Sequence, residues 1–244
     1  MKEKKGSIYI GTSGWNYSHW QPAFYPEGMP SSQWLDYYRK QFSTVEINNT
    51  FYQLPSVRAL QTWKESVGPD FIFFFISNWY ITHMKMLKDP GNSLSRFFKR
   101  IEVLGGKGGP VLFQLPPRWR VDVDRLRKFI GMLSKTGTYT FEFRDTSWWT
   151  EDVYEILRES NGAFCIHDLA GTCSPKEVTA DFVYVRLHGP GNAYEGLYDK
   201  ETLAGWAGAF SAWRRQGLDV YCYFDNDQRA YAAGNAQELR AMVR

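Results

Sequence analysis

Hydrophobic and polar positions alternate in short runs along this chain, and stretches with apolar residues at three-to-four spacing fall between most of them. The runs that read as strands are Ser7–Thr12, Thr44–Asn48, Phe71–Ile76, Pro110–Leu115, Thr138–Arg144, Ala163–Asp168, Phe182–His188 and Asp219–Asp225. The helical stretches are Ser31–Phe42, Ser56–Val67, Ser93–Leu104, Asp122–Ser134, Thr150–Asn161, Lys200–Gln216 and Ala230–Val243. Ser31 or Ser32, after Pro30, is placed to cap the first helix. Thr150 precedes the acidic pair Glu151 and Asp152, and Gly217 closes the stretch before it. Strand and helix in alternation mean a parallel sheet covered by helices. Eight strands favour closure into a TIM-type (β/α)8 barrel, with an open doubly wound sheet as the alternative. The segment 169–181, which contains Pro175, is too short and broken for a full helix, so the helix after the sixth strand is expected to be missing or degenerate. Gly105–Gly109 precedes a strand and lacks a following Ser or Thr, so it reads as a turn and not as a phosphate loop. No linker or repeat interrupts the pattern, and residues 1–244 are expected to form one domain.

Composition narrows the setting. At 244 residues the chain matches the usual size of such a barrel, about 250. Its 29 basic and 26 acidic residues leave a net charge of +3, too small to argue for a membrane surface or a long nucleic acid. The three cysteines form no C-x-x-C pair, which suits a reducing compartment. Met1–Gly6 is charged and short, with no signal-like apolar core, and the longest apolar run, Phe71–Ile76, is far too short to span a bilayer. A cytoplasmic protein without a membrane partner is the expectation. The 10 Trp, 15 Tyr and 17 Phe exceed what packing needs, so part of them is expected to wall a ligand cleft.

Candidate chemistry comes from sorting each strand into two faces. Val45 and Ile47, Phe141 and Phe143, Val183, Val185 and Leu187, and Val220, Cys222 and Phe224 should face helices. Glu46 and Asn48, Glu142 and Arg144, Tyr184, Arg186 and His188, and Tyr221, Tyr223 and Asp225 then face the barrel interior, with His167 and Gln114. Charged groups at such positions are costly to bury unless paired. They gather toward the strand C-termini, where a barrel of this type carries its active site. Ser13, Asn48, Gln114, Glu142, Arg144, His167, His188 and Asp225 are expected to converge there. Arg144 and Arg186 could equally neutralise Glu46 and Glu142 in a barrel-filling ion-pair layer. His83 suits a loop or cap role as well as a site role.

The motifs resemble a family. Gly11-Thr12-Ser13-Gly14-Trp15 with Tyr17, Trp20 and Phe24-Tyr25-Pro26 is similar to its opening signature, and Thr44–Tyr52 followed by Pro55 to its second. Ile81-Thr82-His83, Phe113–Pro117, Glu142-Phe143-Arg144 with Ser147-Trp148, Tyr184–Gly189, and Tyr223–Asp227 with Asn235-Ala236 continue it in order. The chain thus resembles the domain-of-unknown-function 72 family, also called YecE-like. The resemblance implies a TIM barrel and no settled activity. Where the family usually carries a Lys at the end of the third strand, this chain has Ile76.

Three functions stay open. The first is a hydrolase of a phosphate ester, in a nucleotide or a nucleic acid, possessing Glu142, His188 and Asp225 as catalytic groups or metal ligands and Arg144 and Arg186 as a phosphate clamp. Its ligand contacts would come from Ser13, Trp15, Tyr17, Trp20, Glu46, Asn48, His83, Gln114, Trp148 and Asn226. The second is a glycosidase with Glu46 and Glu142 as its carboxylate pair. The third is a non-catalytic sensor or adaptor for a small anion. A divalent metal is compatible with the donor types, but no ligand-spacing motif points to one, and no cofactor is specified.

Overall fold

The computed structural model describes residues 5–243; the charged start at 1–4 and residue 244 lie outside the described residues. The strands are β1 (Ile8–Thr12), β2 (Thr44–Ile47), β3 (Ile72–Ile76), β4 (Gly108–Gln114), β5 (Tyr139–Glu142), β6 (Ala163–Leu169), β7 (Thr172–Cys173), β8 (Phe182–Leu187) and β9 (Asp219–Phe224). The helices are α1 (Trp34–Gln41), α2 (Val57–Ser66), α3 (Gly91–Ile101), α4 (Val123–Ile130), α5 (Glu151–Glu159), α6 (Lys200–Arg215) and α7 (Tyr231–Met242). The sheet runs β1-β9-β8-β6-β5-β4-β3-β2, with β7 attached to β6 alone, and a parallel bridge from Ser13 to Glu46 links the ends of β1 and β2. The fold is therefore α/β, a nearly closed TIM-type barrel of eight parallel strands. No helix among the described residues is long and apolar enough to cross a membrane.

The chain divides into two compact units. The first holds the chain up to Glu46, Ile166–Ser174 and everything from Asp181 onward; the second holds Ile47–Cys165 and Pro175–Ala180. In the first, β9 pairs on one side with β1 and on the other with β8, both parallel. Helices α6 and α7 pack on β9, and α7 also on β1. Val183, Val185, Val220, Cys222 and Phe224 are buried, as their alternation predicts. In the second unit, β3, β4 and β5 pair in parallel order. The rings of Phe113 and Phe141 meet Phe129 of α4, at centroid distances of 4.9 and 6.3 Å, so this face of the strands does turn to a helix.

Helix starts are built as their sequences suggest in three places. The Ser56 Oγ accepts from Ala59 N at 3.1 Å, Asp122 from Arg125 N at 3.0 Å and Asp199 from Thr202 N at 2.8 Å. The expected Ser31 or Ser32 cap is a correction: Ser31–Gln33 forms a 3-10 turn leading into α1, and no side chain caps either element. Thr150 sits at the cap position of α5 without a side-chain cap bond. Gly217 follows α6 at φ +84, the left-handed geometry that a closing residue needs. The glycine run is split between a turn over Glu102–Lys107 and the first two residues of β4.

No helix follows β6 among the described residues. The chain instead reverses through Ala170 and Gly171, both at positive φ (+50 and +77), and Thr172 pairs back onto Leu169. Two residues of left-handed backbone between paired strands form the tight hairpin turn that matches strand twist.

Candidate active site

In the first unit a polar group forms where β1, β2, β8 and β9 end. The β8–β9 register pairs Arg186 with Tyr223 and Leu187 with Phe224, so the next residues, His188 and Asp225, come side by side. The backbone holds both: Asp225 N donates to Leu187 O and His188 N to Asp168 O, each at 2.8 Å. His188 Nδ1 lies 3.0 Å from Asp225 Oδ2, and Arg186 Nη2 reaches the same oxygen at 3.3 Å. A carboxylate only accepts, so Nδ1 is the donor in this contact.

One residue deeper, Glu46 is fully buried and fully engaged. Its Oε1 accepts from Ser13 Oγ at 2.6 Å and from Arg186 Nη2 and Nε at 2.8 and 3.2 Å; its Oε2 accepts from Tyr184 OH at 2.6 Å. Burial first, then the Glu46 charge, holds the Tyr184 phenol well above its ordinary pKa, so it stays a donor. Below it Tyr223 and Thr44 share a hydroxyl bond of 2.6 Å. Arg186 is thus clasped between two carboxylates, and its exposure is only 2%.

A loop covers His188. From Gly189 to Gly196 the backbone turns through positive φ at Gly189, Tyr194 and Gly196, and the Tyr194 ring stands edge-on over the imidazole at 5.5 Å. The loop is pinned at both ends: Gly189 N donates to Tyr198 OH at 2.9 Å, and Asn226 Nδ2 donates to Gly196 O at 2.9 Å and Asn235 Oδ1 at 3.0 Å. Asp168, hydrogen-bonded to Tyr198, has its pKa raised by burial.

The N-terminal aromatics pack inward. Trp20 and Tyr25 are completely buried, Trp15 nearly so, and Trp20 stacks tilted on Tyr17 at 5.1 Å. Trp20 Nε1 donates to Asp227, and the Tyr17 hydroxyl donates to Ser13 O at 2.8 Å.

The second unit builds its own polar group. Gln114 and Glu142 are register neighbours at the ends of β4 and β5. Arg144 forms an ion pair with buried Glu142, and its Nη2 donates to Gln114 at 3.4 Å. His83 sits in a π-type turn over Tyr80–Met84, with Nδ1 2.9 Å from Thr82 Oγ1 and its ring edge-on to Phe51 at 5.1 Å. Burial and then the Arg144 charge lower its pKa. Asn48 is half-buried at the start of the Asn49–Phe51 turn, where its carbonyl accepts from Phe51 N. Trp148 is buried, stacked on Phe143 at 4.9 Å, with Nε1 donating to Trp119 O. Ile76 is buried at the end of β3, and its carbonyl accepts from Thr50 Oγ1 at 2.6 Å.

The structure thus joins Ser13, Glu46, Arg186, His188 and Asp225 in one group, and Gln114, Glu142, Arg144 and His83 in another. Sequence reading missed Tyr194 and Tyr198, because a loop tip acquires its neighbours only in the fold; Pro190 between two glycines was the one available signal. Among the described residues no cluster of three or more His, Cys, Asp or Glu stands ready to hold a metal ion.

The comparisons agree on the lineage. The family model described as "Protein of unknown function DUF72" matches residues 9–244. The UPF0759 protein YunF of Bacillus subtilis (strain 168) is 23% identical, over 97% of this chain and 94% of its own. A DUF72 family protein from Thermotoga maritima MSB8 superposes with a TM-score of 0.89 at 29% identity, covering 97% and 99% of the two chains. A D-psicose 3-epimerase shares the fold alone, with a TM-score of 0.59 at 11% identity over 97% of this chain and 98% of its own.

Proposed function

This chain belongs to the DUF72 family, whose description assigns no reaction, and from its own side chains we propose that it is a hydrolase of small phosphate esters working by general acid–base catalysis at His188. The observation that carries this reading is the His188–Asp225 pair at the ends of two adjacent parallel strands. Asp225 orients the imidazole and stabilises the imidazolium formed when Nε2 takes a proton from water. Arg186 acts through Asp225 and is a positioning residue. Tyr194 excludes solvent while closed, so substrate entry requires the Gly189–Gly196 loop to lift.

Charge selects among phosphate esters. Arg186 is already met by Glu46 and Asp225, and Arg144 by Glu142. Neither brings an uncompensated cation, so a singly charged diester fits better than a doubly charged monoester. A glycosidase reading has less support, since Glu46 and Glu142 are both at 0% exposure whereas a catalytic carboxylate pair must reach its sugar.

The test is a chromogenic panel of bis-(p-nitrophenyl) phosphate, p-nitrophenyl phosphate and p-nitrophenyl glycosides, run with and without added Mg²⁺ or Mn²⁺. Turnover should be greatest on the diester and fall about 100-fold or more in His188→Ala, the usual scale of a lost general base. Turnover that is equal in His188→Ala, or confined to the glycosides, would overturn the proposal.

A further inference from the structure

The second unit holds a cavity of about 460 Å³ whose charge is all of one sign. One wall is the face of α3 that carries Ser93, Arg96 and Arg100; the others come from the segments after β2 and β3, with Tyr52, Asn78 and Tyr80. None of its lining residues is acidic. Arg96 and Arg100 are four apart on a helix, so their side chains rise about 6 Å from one another on one face. Arg100 donates to Pro55 O at 2.5 Å, which holds its guanidinium at the cavity edge, and neither arginine has an ion-pair partner among the described residues.

The remaining wall is aromatic. Tyr52 is 82% exposed and Tyr80 43%, an unusual exposure for two large rings lining one cavity. Tyr80 is fixed where it stands: its N–H donates to Asn78 Oδ1 at 3.0 Å, while Asn78 Nδ2 donates to Thr50 O at 3.4 Å. Lys85 Nζ lies over the Tyr80 ring, 5.7 Å from its centroid, and adds to the positive field. Tyr80 also opens the π-type turn over Tyr80–Met84, a rare geometry that is frequent at functional sites.

A pair of unneutralised guanidinium groups with a hydroxyl beside them suits a phosphate. Exposed rings across the same cavity suit a flat heterocycle, which stacks on them whatever its hydrogen-bonding edge. A cavity of this size is in the range that small ligands occupy. We propose that this cavity is a ligand site in its own right and takes a nucleoside monophosphate, its phosphate on Arg96, Arg100 and Ser93 and its base on Tyr52 or Tyr80. The site stands on residues that the proposed hydrolysis does not use.

The experiment is isothermal titration of the full chain with AMP, with adenosine, inorganic phosphate and a single-stranded oligonucleotide as separate arms. Saturable AMP binding, weaker with either fragment, is the expected result. It should weaken about tenfold in Arg96→Gln and in Tyr52→Ala, both changes at exposed positions that leave the fold intact. His188→Ala should bind AMP as the native chain does. No saturation by millimolar AMP would overturn the proposal. So would undiminished binding in both variants, loss of binding in His188→Ala, or binding of the oligonucleotide alone.

Discussion

At the scale of single residues, the buried charges are where substitution has the largest effect. Glu46 accepts four hydrogen bonds at 0% exposure, and Arg186 depends on it for most of its compensation. Breaking a buried pair by removing one partner costs about 3–5 kcal/mol. Glu46→Gln should therefore lower the stability by about 3 kcal/mol in a urea melt, because Asp225 still offsets part of the Arg186 charge. Adding Arg186→Met should recover much of that loss. His83 gives a pH dependence whose sign follows from burial. Its folded pKa lies below the ordinary 6.5, so the unfolded chain takes up a proton first as pH falls. Stability from this group is full above 6.5, declines as pH drops through that value, and levels off below the folded pKa. Melting points measured from pH 8 to 5 should show this decline reduced in His83→Gln. The inward assignments of Glu46, Tyr184, Arg186 and Tyr223 were legible from alternation alone, since a period of two leaves each residue one face or the other. Their partners were not, because which carboxylate Arg186 meets depends on strand order.

At the scale of elements, strands were more legible than their ends and loops. The alternating runs around Ile8, Val183 and Val220 fall within β1, β8 and β9, and the apolar periodicity of α3 and α4 buries Leu94, Phe97, Leu126 and Phe129. The entry to α1 misled because a Ser after Pro is a cap only if the backbone leaves it extended, and here the chain coils into a 3-10 turn. The turn at Gly189-Pro190-Gly191 was legible, but its folding back over His188 was not, because that form rests on long-range bonds from Tyr198 and Asn226. That loop makes two predictions. A Cβ on Gly189 would stand 2.2 Å from Glu195 O at a φ of +121, so Gly189→Ala should displace the loop and expose His188. Tyr194→Ala removes the covering ring without that strain. In both variants diethyl pyrocarbonate should modify His188 faster than in the native chain, as read by peptide mass spectrometry. An unchanged rate in both would mean that the loop does not control access.

At the scale of the whole molecule, connectivity matters more than any single contact. The first unit is made from both ends of the chain: β1 finds its neighbour in β9, more than 200 residues later in sequence. Such distant pairing delays consolidation until synthesis is almost complete. Removing everything from Asp219 onward should abolish the cooperative transition reported by Trp15, Trp20 and Trp34, which a tryptophan-fluorescence melt would show. Eight strands and the lost sixth helix could be read in advance because a barrel repeats one simple pattern. The reaction could not, since the same repeat supports proteins as different as this family and a sugar epimerase.

The hairpin that replaces the sixth helix has a practical consequence. Of the three thiols, those of Cys165 and Cys222 are sealed inside the protein, while Cys173 faces water on the short returning strand. A maleimide dye should thus attach at that one position in the native state, giving a reporter planted six residues from His167 without any engineered cysteine.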